Sequence, residues 1–257
     1  MEDSGKRIEQ YDKGFPIASI QYNNSVMRYG VPNLAALWRV STFETKEPET
    51  VKWIAGFDTG EVFLDVGANI GLYTIFAAVY SKSKVYAFEP EAQNYSLLNR
   101  NIILNNISDK VVAWCCALTD SIIIDKLYMR KLGAAGSGHE FGQEVDTILK
   151  PKKAQFAQGS IGLSLDYIIS NDAMPYPNHI KIDVDGIEHL VVNGAIKTLS
   201  DQRVRSVLIE ISPYISEHKD LIVSMNRLGF EFDEGQVERA RRKTGSTKNY
   251  AEYIFYR

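Results

Sequence analysis

Gly67 and Gly71, four apart and preceded by Asp65, are the first residues whose types and spacing suggest chemistry. They lie in VFLDVGANIGLYT at 62–74, where an apolar run meets an acid and an amphipathic run begins. With no side chain at either glycine, backbone N–H groups and a helix N-terminus can come close to a ligand. Glu89 follows Gly67 by 22 residues, at the end of the apolar run VYAF. A glycine turn followed at that interval by an acid is how a doubly wound fold holds an adenosine ribose, the carboxylate accepting from vicinal hydroxyls. Asp183 and Glu210 end two further apolar runs, HIKI and VLI. The carboxyl ends of strands are where α/β sheets bind ligands.

The elements that must position these residues alternate. Strands are expected at 61–66, 84–89, 111–118, 179–184 and 204–211, with helices at 71–81, 91–105, 187–199 and 216–228. Two last short strands, 230–232 and 253–256, flank a charged loop at 238–249. Strand–helix alternation with nearly continuous apolar strands argues for an α/β sheet. The segment 130–160 breaks this rhythm. It is rich in glycine and small residues and reads as a mobile loop or insertion crossing the sheet top. Residues 1–60 read as an N-terminal extension packing on the core domain, 61–257. The extension should hold a hairpin over 17–30, a short helix over 32–40 and a helix started by Thr45-Lys-Glu-Pro-Glu, with Val51, Ile54 and Ala55 on its apolar side.

Bulk properties narrow the class. The chain has 257 residues, 45% hydrophobic and 24% charged, with a net charge of −3. That balance argues against general affinity for nucleic acid or anionic membranes. The polar start MEDSGKRIEQYDKG lacks the apolar segment of a signal peptide, and no apolar run approaches the length of a membrane span. Cys115 and Cys116 are adjacent, a poor disulfide pair, and read as free thiols in a reducing compartment. A cytoplasmic protein is the expectation.

The motifs at 62–74 and 85–90 resemble those of class I S-adenosylmethionine-dependent methyltransferases. More closely, the chain is similar to the FkbM-type family, whose signature includes a D-V-G-A-N-x-G turn. The resemblance continues through AFEP at 87–90, LDYI at 165–168, HIKIDVDGIEHLVVNGA at 179–195, VLIEI at 207–211 and the final YIFYR, and covers roughly 45–257. It implies a Rossmann-like seven-stranded sheet with helices on both faces and an antiparallel last strand. Asn69 stands where a dinucleotide fold needs the second glycine of G-x-G-x-x-G, the one that admits a pyrophosphate. S-adenosyl-L-methionine has none, so the turn suits it better than NAD.

The resemblance implies O-methylation of a hydroxyl on a sugar, glycan or secondary metabolite. An N-methyltransferase or a cofactor-binding module without catalysis are the alternatives. Cofactor-binding candidates are Asp65, Gly67, Asn69, Gly71, Glu89, Ala117, Leu118 and Asp120. Asp65 would face the amino acid end. Ala117 and Leu118 would pack on adenine, and Asp120 either accepts from its amino group or is a turn acid. Catalytic candidates are Asp183, as base or hydroxyl orienter, His139 in the loop, and Glu210 as a second base. His189 is another imidazole to test. Asp183 and Glu210 could together hold Mg²⁺, but Ile211 stands where metal-dependent relatives supply an amide, and no metal is assigned. Asp185 and Glu188 read as a capping box. Lys46 and Glu47 could touch cofactor carboxylate or substrate, and the run Arg239, Arg241, Arg242, Lys243 reads as a solvated loop. Partners are a small-molecule or glycan acceptor, and a homo-oligomer is possible.

Overall fold

The computed structural model describes residues 14–146, 148–245 and 247–257. The polar start, residues 1–13, lies outside them. The hairpin forms as expected: β1 (Ile17–Tyr22) pairs antiparallel with β2 (Ser25–Gly30) around Asn23. A helix follows at Leu34–Ser41, where Asn33 accepts from the Ala36 N–H. The next long helix is Pro48–Ala55. Its N-cap position is Glu47 rather than Thr45, which sits in a preceding single turn, Phe43–Lys46.

The central sheet has seven strands, as the alternation implies. They are β3 (Val62–Val66), β4 (Lys84–Phe88), β5 (Val111–Trp114), β10 (His179–Ile182), β11 (Ser206–Ile211), β12 (Glu231–Phe232) and β13 (Ala251–Tyr256), in the order β12-β13-β11-β10-β3-β4-β5. All neighbours run parallel except β13, which is antiparallel to both β11 and β12. The chain moves outward from β3 through β4 to β5, then returns to lay β10 on the other side of β3. The carboxyl ends of β3 and β10 therefore flank a switch point, where open α/β sheets form their ligand crevice.

Side-chain alternation along each strand builds a core on both faces. Phe63 and Val85 pack with Trp53, Ile75, Phe76 and Leu98 on one face. Leu64 and Val66 pack with Ile180, Ile182, Val207, Ile209 and Met225 on the other. Each such buried side chain contributes about 1.5–3 kcal/mol by leaving water. The hairpin joins the first face through Tyr22, whose ring meets Phe76 edge-on at 5.0 Å.

Three expectations change. The run 111–118 is not one strand: it bends at Cys115-Cys116, and β6 (Ala117–Leu118) pairs with a second sheet. That sheet, in the order β6-β9-β7-β8, was not expected, and it frames the loop expected over 130–160, which it enters only at β8 and the start of β9. Its body is β7 (Ile123–Met129) antiparallel to β9 (Phe156–Leu163), with β8 (Glu140–Phe141) on the edge. Finally, two of the expected helices break, while those expected at 91–105 and 216–228 form as Ala92–Leu104 and Glu217–Arg227. Of the two that break, the first is helical at Leu72–Phe76 and continues as a π turn at Ala77–Ser81, and 187–199 divides into Glu188–Asn193 and Ile196–Ser200. Among the described residues no helix is long and apolar enough to cross a membrane.

Candidate functional site

A cavity of about 300 Å³ opens at the carboxyl ends of β3, β4, β10 and β11. The turn after β3 forms its floor. Gly67 has φ +78° and Gly71 φ +82°. A Cβ on Gly67 would lie 1.9 Å from the Asp183 carbonyl oxygen, and one on Gly71 2.4 Å from Leu98 Cδ1. Both glycines are thus required by backbone conformation and by packing inside the protein. The N–H groups of Gly67 and Ala68 both donate to the Phe88 carbonyl, at 2.9 and 3.0 Å, which fixes the turn to the end of β4.

Glu89 follows β4 and lines the cavity beside Asn69. Its Oε2 accepts from the Asn69 N–H at 2.7 Å, and its Oε1 from the Glu91 N–H at 2.9 Å. Burial raises its pKa to about 7. A carboxylate held by two backbone donors keeps lone pairs for further hydroxyl donors. Cys116, Ala117 and Leu118 continue the wall with Leu127, Phe141 and Ile187, a flat apolar surface suited to a purine. Asp120 does not reach it: it is exposed and accepts from Ser121 Oγ at 3.0 Å, as a turn acid. Asp65 also lies off the wall. It is buried beneath the turn, accepts from Thr74 Oγ1 at 2.6 Å, and faces Lys181 at 3.8 Å.

The other end of the cavity is a network of charge. Lys181 is buried in β10, with its ammonium 3.0 Å from Asp183 Oδ2. Burial alone would raise the Asp183 pKa, but Lys181, Lys46 and Arg242 outweigh it and hold the carboxyl below the usual range. Asp183 is therefore an ionised acceptor and a poor proton base. Glu210, at the end of β11, differs. Burial and the Asp183 charge push it well above its ordinary value, although Arg242 lies 2.5 Å away. Arg242 also reaches Glu252 at 2.8 Å and Glu47 at 3.3 Å, so it is a half-buried clamp rather than part of a solvated loop. Glu47 pairs in turn with Lys46 and accepts from Tyr73 Oη at 2.7 Å. Asp183 and Glu210 already hold protein cations, a donor set that does not fit Mg²⁺. Among the described residues no group of three or more His, Cys, Asp or Glu side chains is arranged to hold a metal.

The segment 133–139 straps over the cavity. Asn69 Nδ2 donates to the Gly136 carbonyl at 2.6 Å, Asn94 Oδ1 accepts from the Ala135 N–H at 2.7 Å, and Arg39 Nε donates to the Ala135 carbonyl at 3.0 Å. Asp185 Oδ2 accepts from the Gly138 N–H at 2.6 Å. Asp185 is thus a strap anchor and not the start of a capping box. Glu188 instead accepts from the Val184 and Gly186 N–H groups within the turn. The strap carries His139 to the cavity wall, where neither ring nitrogen has a hydrogen-bond partner among the described residues. Burial lowers its pKa, so the imidazole is neutral near pH 7. His189 lies off the wall, 6.3 Å from the His218 ring.

The structure therefore brings Gly67, Asn69, Glu89, Ala117, Leu118, His139, Asp183 and Glu210 to one cavity, and leaves Asp65, Gly71 and Asp120 off it. Sequence reasoning missed Lys181, Asn94, Glu252, Trp38 and Tyr250. Lys181 had a signal: a lysine inside an apolar central strand, two residues from an acid on the same side.

The model of the Methyltransferase FkbM domain matches residues 65–232. Hexuronic acid methyltransferase AglP of Haloferax volcanii is 25% identical over 187 residues, 72% of this chain and 70% of that protein. The 31-O-demethyl-FK506 methyltransferase FkbM of Streptomyces tacrolimicus is 24% identical over 195 residues, 66% of this chain and 73% of that protein. Among solved structures, a methyltransferase FkbM from Methylobacillus flagellatus KT aligns with a TM-score of 0.51 at 17% identity. That alignment covers 78% of this chain and 44% of the other, so the chain spans less than half of that protein.

Proposed function

The chain belongs to the FkbM methyltransferase family, with S-adenosyl-L-methionine as methyl donor, and from that premise we propose that it methylates a hydroxyl of a sugar, glycan or secondary metabolite. The observation that carries this reading is the pair Asp183 and Glu210, on the ends of adjacent strands and facing one cavity. An ionised carboxylate accepts a hydroxyl hydrogen bond and aims the oxygen. A neighbouring carboxylate of raised proton affinity, once ionised, can take the proton that the hydroxyl loses. Trp38 and Tyr250 line the same cavity, and aromatic faces beside carboxylates suit a ring that carries both C–H faces and hydroxyls. The cited sugar methyltransferase AglP supports the same acceptor class.

In this reading Glu89 holds the ribose, Cys116, Ala117 and Leu118 flank the adenine, and Gly67 and Asn69 form the turn beneath the cofactor. The cofactor supplies an electrophilic methyl group. The protein's work is alignment, exclusion of water by the strap, and proton removal. Asp183 orients, Glu210 is the base, and His139 is the competing base on the strap.

The test is transfer from methyl-labelled cofactor to a panel of glycosides, with the product located by mass spectrometry and NMR. A methyl ether on a ring hydroxyl is expected. Asp183→Asn should lower turnover far more than cofactor affinity. Label found on nitrogen, or cofactor bound with no transfer to any hydroxylated acceptor, contradicts the proposal.

A further inference from the structure

The acceptor end of the cavity is short of positive charge. Asp183 and Glu210 on its wall and Glu47, Asp65 and Glu252 behind it, five carboxylates in all, share three cations, Lys46, Lys181 and Arg242. Four of the five acids are buried and only Asp183 is partly exposed, so water offsets little of the imbalance. The imbalance is concentrated around Arg242, whose single guanidinium is divided among Glu47, Glu210 and Glu252.

S-adenosylmethionine carries a sulfonium, an ammonium and a carboxylate, and so brings one net positive charge. S-adenosylhomocysteine has lost the sulfonium charge and is neutral. Resting on the methyltransferase reading above, we propose that this acid excess selects the cationic donor over its neutral product, and that its arrival expels a proton from the Glu210–Glu252 pair. Glu210 faces Asp183 from β10, Glu188 from the following helix, and Arg242 and Glu252 from the C-terminal segment. Glu252 faces Glu47 from the N-terminal segment and the same Arg242.

Burial and these like charges raise both acids, Glu252 to about 7, so the empty site holds protons at neutral pH. Asp183 stays ionised throughout, held by Lys181. A bound sulfonium favours the ionised form of Glu210 and Glu252 and lowers their pKa. Donor affinity therefore rises with pH until both acids are ionised in the free site. The neutral product lacks this coupling. Methyl transfer removes the sulfonium charge, which restores proton affinity to Glu210 as the acceptor hydroxyl loses its proton. The same change weakens the hold on the spent cofactor.

Isothermal calorimetry on the full chain, in two buffers of different ionisation enthalpy at pH 6.5, reads the protons exchanged with each ligand. S-adenosylmethionine should release about half a proton more per site than S-adenosylhomocysteine. From pH 6 to pH 8 its affinity should rise about fivefold more than that of the product, because Glu89 acts on the ribose of both ligands alike. Glu210→Gln should shrink the difference in proton release between the two ligands. Glu252→Gln gives a second reading should the first variant not fold. Equal proton release for both ligands, or the wild-type difference persisting in both variants, overturns the inference while leaving the methyltransferase reading standing. Failure of both ligands to bind wild-type protein overturns that reading itself.

Discussion

Lys181→Met removes the one cation that Asp65 and Asp183 share. The ammonium lies 3.0 Å from Asp183 and 3.8 Å from Asp65, and its own side chain is 3% exposed. Removing one partner of a buried pair costs about 3–5 kcal/mol, because the remaining charge has no compensation. Asp183 is 28% exposed and can be partly solvated, whereas Asp65 is 1% exposed and cannot. The expected loss at pH 7.5 is therefore at the lower end, about 3 kcal/mol. At roughly 2–4 °C per kcal/mol for a domain of this size, the melting temperature should fall by about 6–12 °C. The pH dependence identifies the cause. Burial holds the Asp65 pKa above its ordinary value even beside Lys181, and losing the ammonium raises it further, so in the variant its stability contribution is present at low pH and lost as pH rises. The difference from wild type should shrink as the pH is lowered and Asp65 takes up a proton. In wild type, Asp183 has a depressed folded pKa, and its contribution persists until the pH falls below about 4. Urea unfolding at pH 7.5 and pH 5, a range in which the Asp183 contribution stays constant, measures the loss and its dependence on Asp65. A loss under about 1 kcal/mol, or an equal loss at the two pH values, would refute the assignment of Lys181 as the compensating charge.

Glu89→Gln should weaken S-adenosylmethionine binding by roughly tenfold or more, since hydrogen bonds to a charged group are worth about 1.5–3 kcal/mol; an unchanged dissociation constant by calorimetry contradicts the ribose assignment. In wild type, burial raises Glu89 to about 7, so this part of the affinity should decline as pH falls through that value. Asn94→Ala removes the acceptor for the Ala135 N–H and a donor to the Gly136 carbonyl, and should loosen the strap. Tryptic cleavage after Arg130 or Lys131 should then accelerate about threefold or more, and an unchanged rate would show that the strap is held elsewhere.

Local pattern made much of this molecule readable. Most strands of the main sheet are short apolar runs that form close to their expected positions, the run 111–118 excepted. Glu89, Asp183 and Glu210 end those runs, so their arrival at one cavity follows from parallel topology alone. The second sheet was not readable for a physical reason. β7 and β9 pair across a long excursion, and their outer face leaves Ile124 and Ile161 in solvent, so neither strand shows clean alternation. Arg242 looked like one member of a charged surface run because its three acids come from separate parts of the chain. The capping-box reading of Asp185 was locally sound, but the Gly138 N–H, 47 residues distant, claims that carboxylate.

The most direct measurement is a crystal structure with S-adenosylhomocysteine. The ribose hydroxyls should lie within about 3 Å of the Glu89 carboxylate, with the adenine against Ala117 and Leu118 and the sulfur turned toward Asp183 and Glu210. A nucleoside seated elsewhere would contradict the site, as in the cleft of about 410 Å³ beside Trp53, His179 and Ser206 at the opposite strand ends.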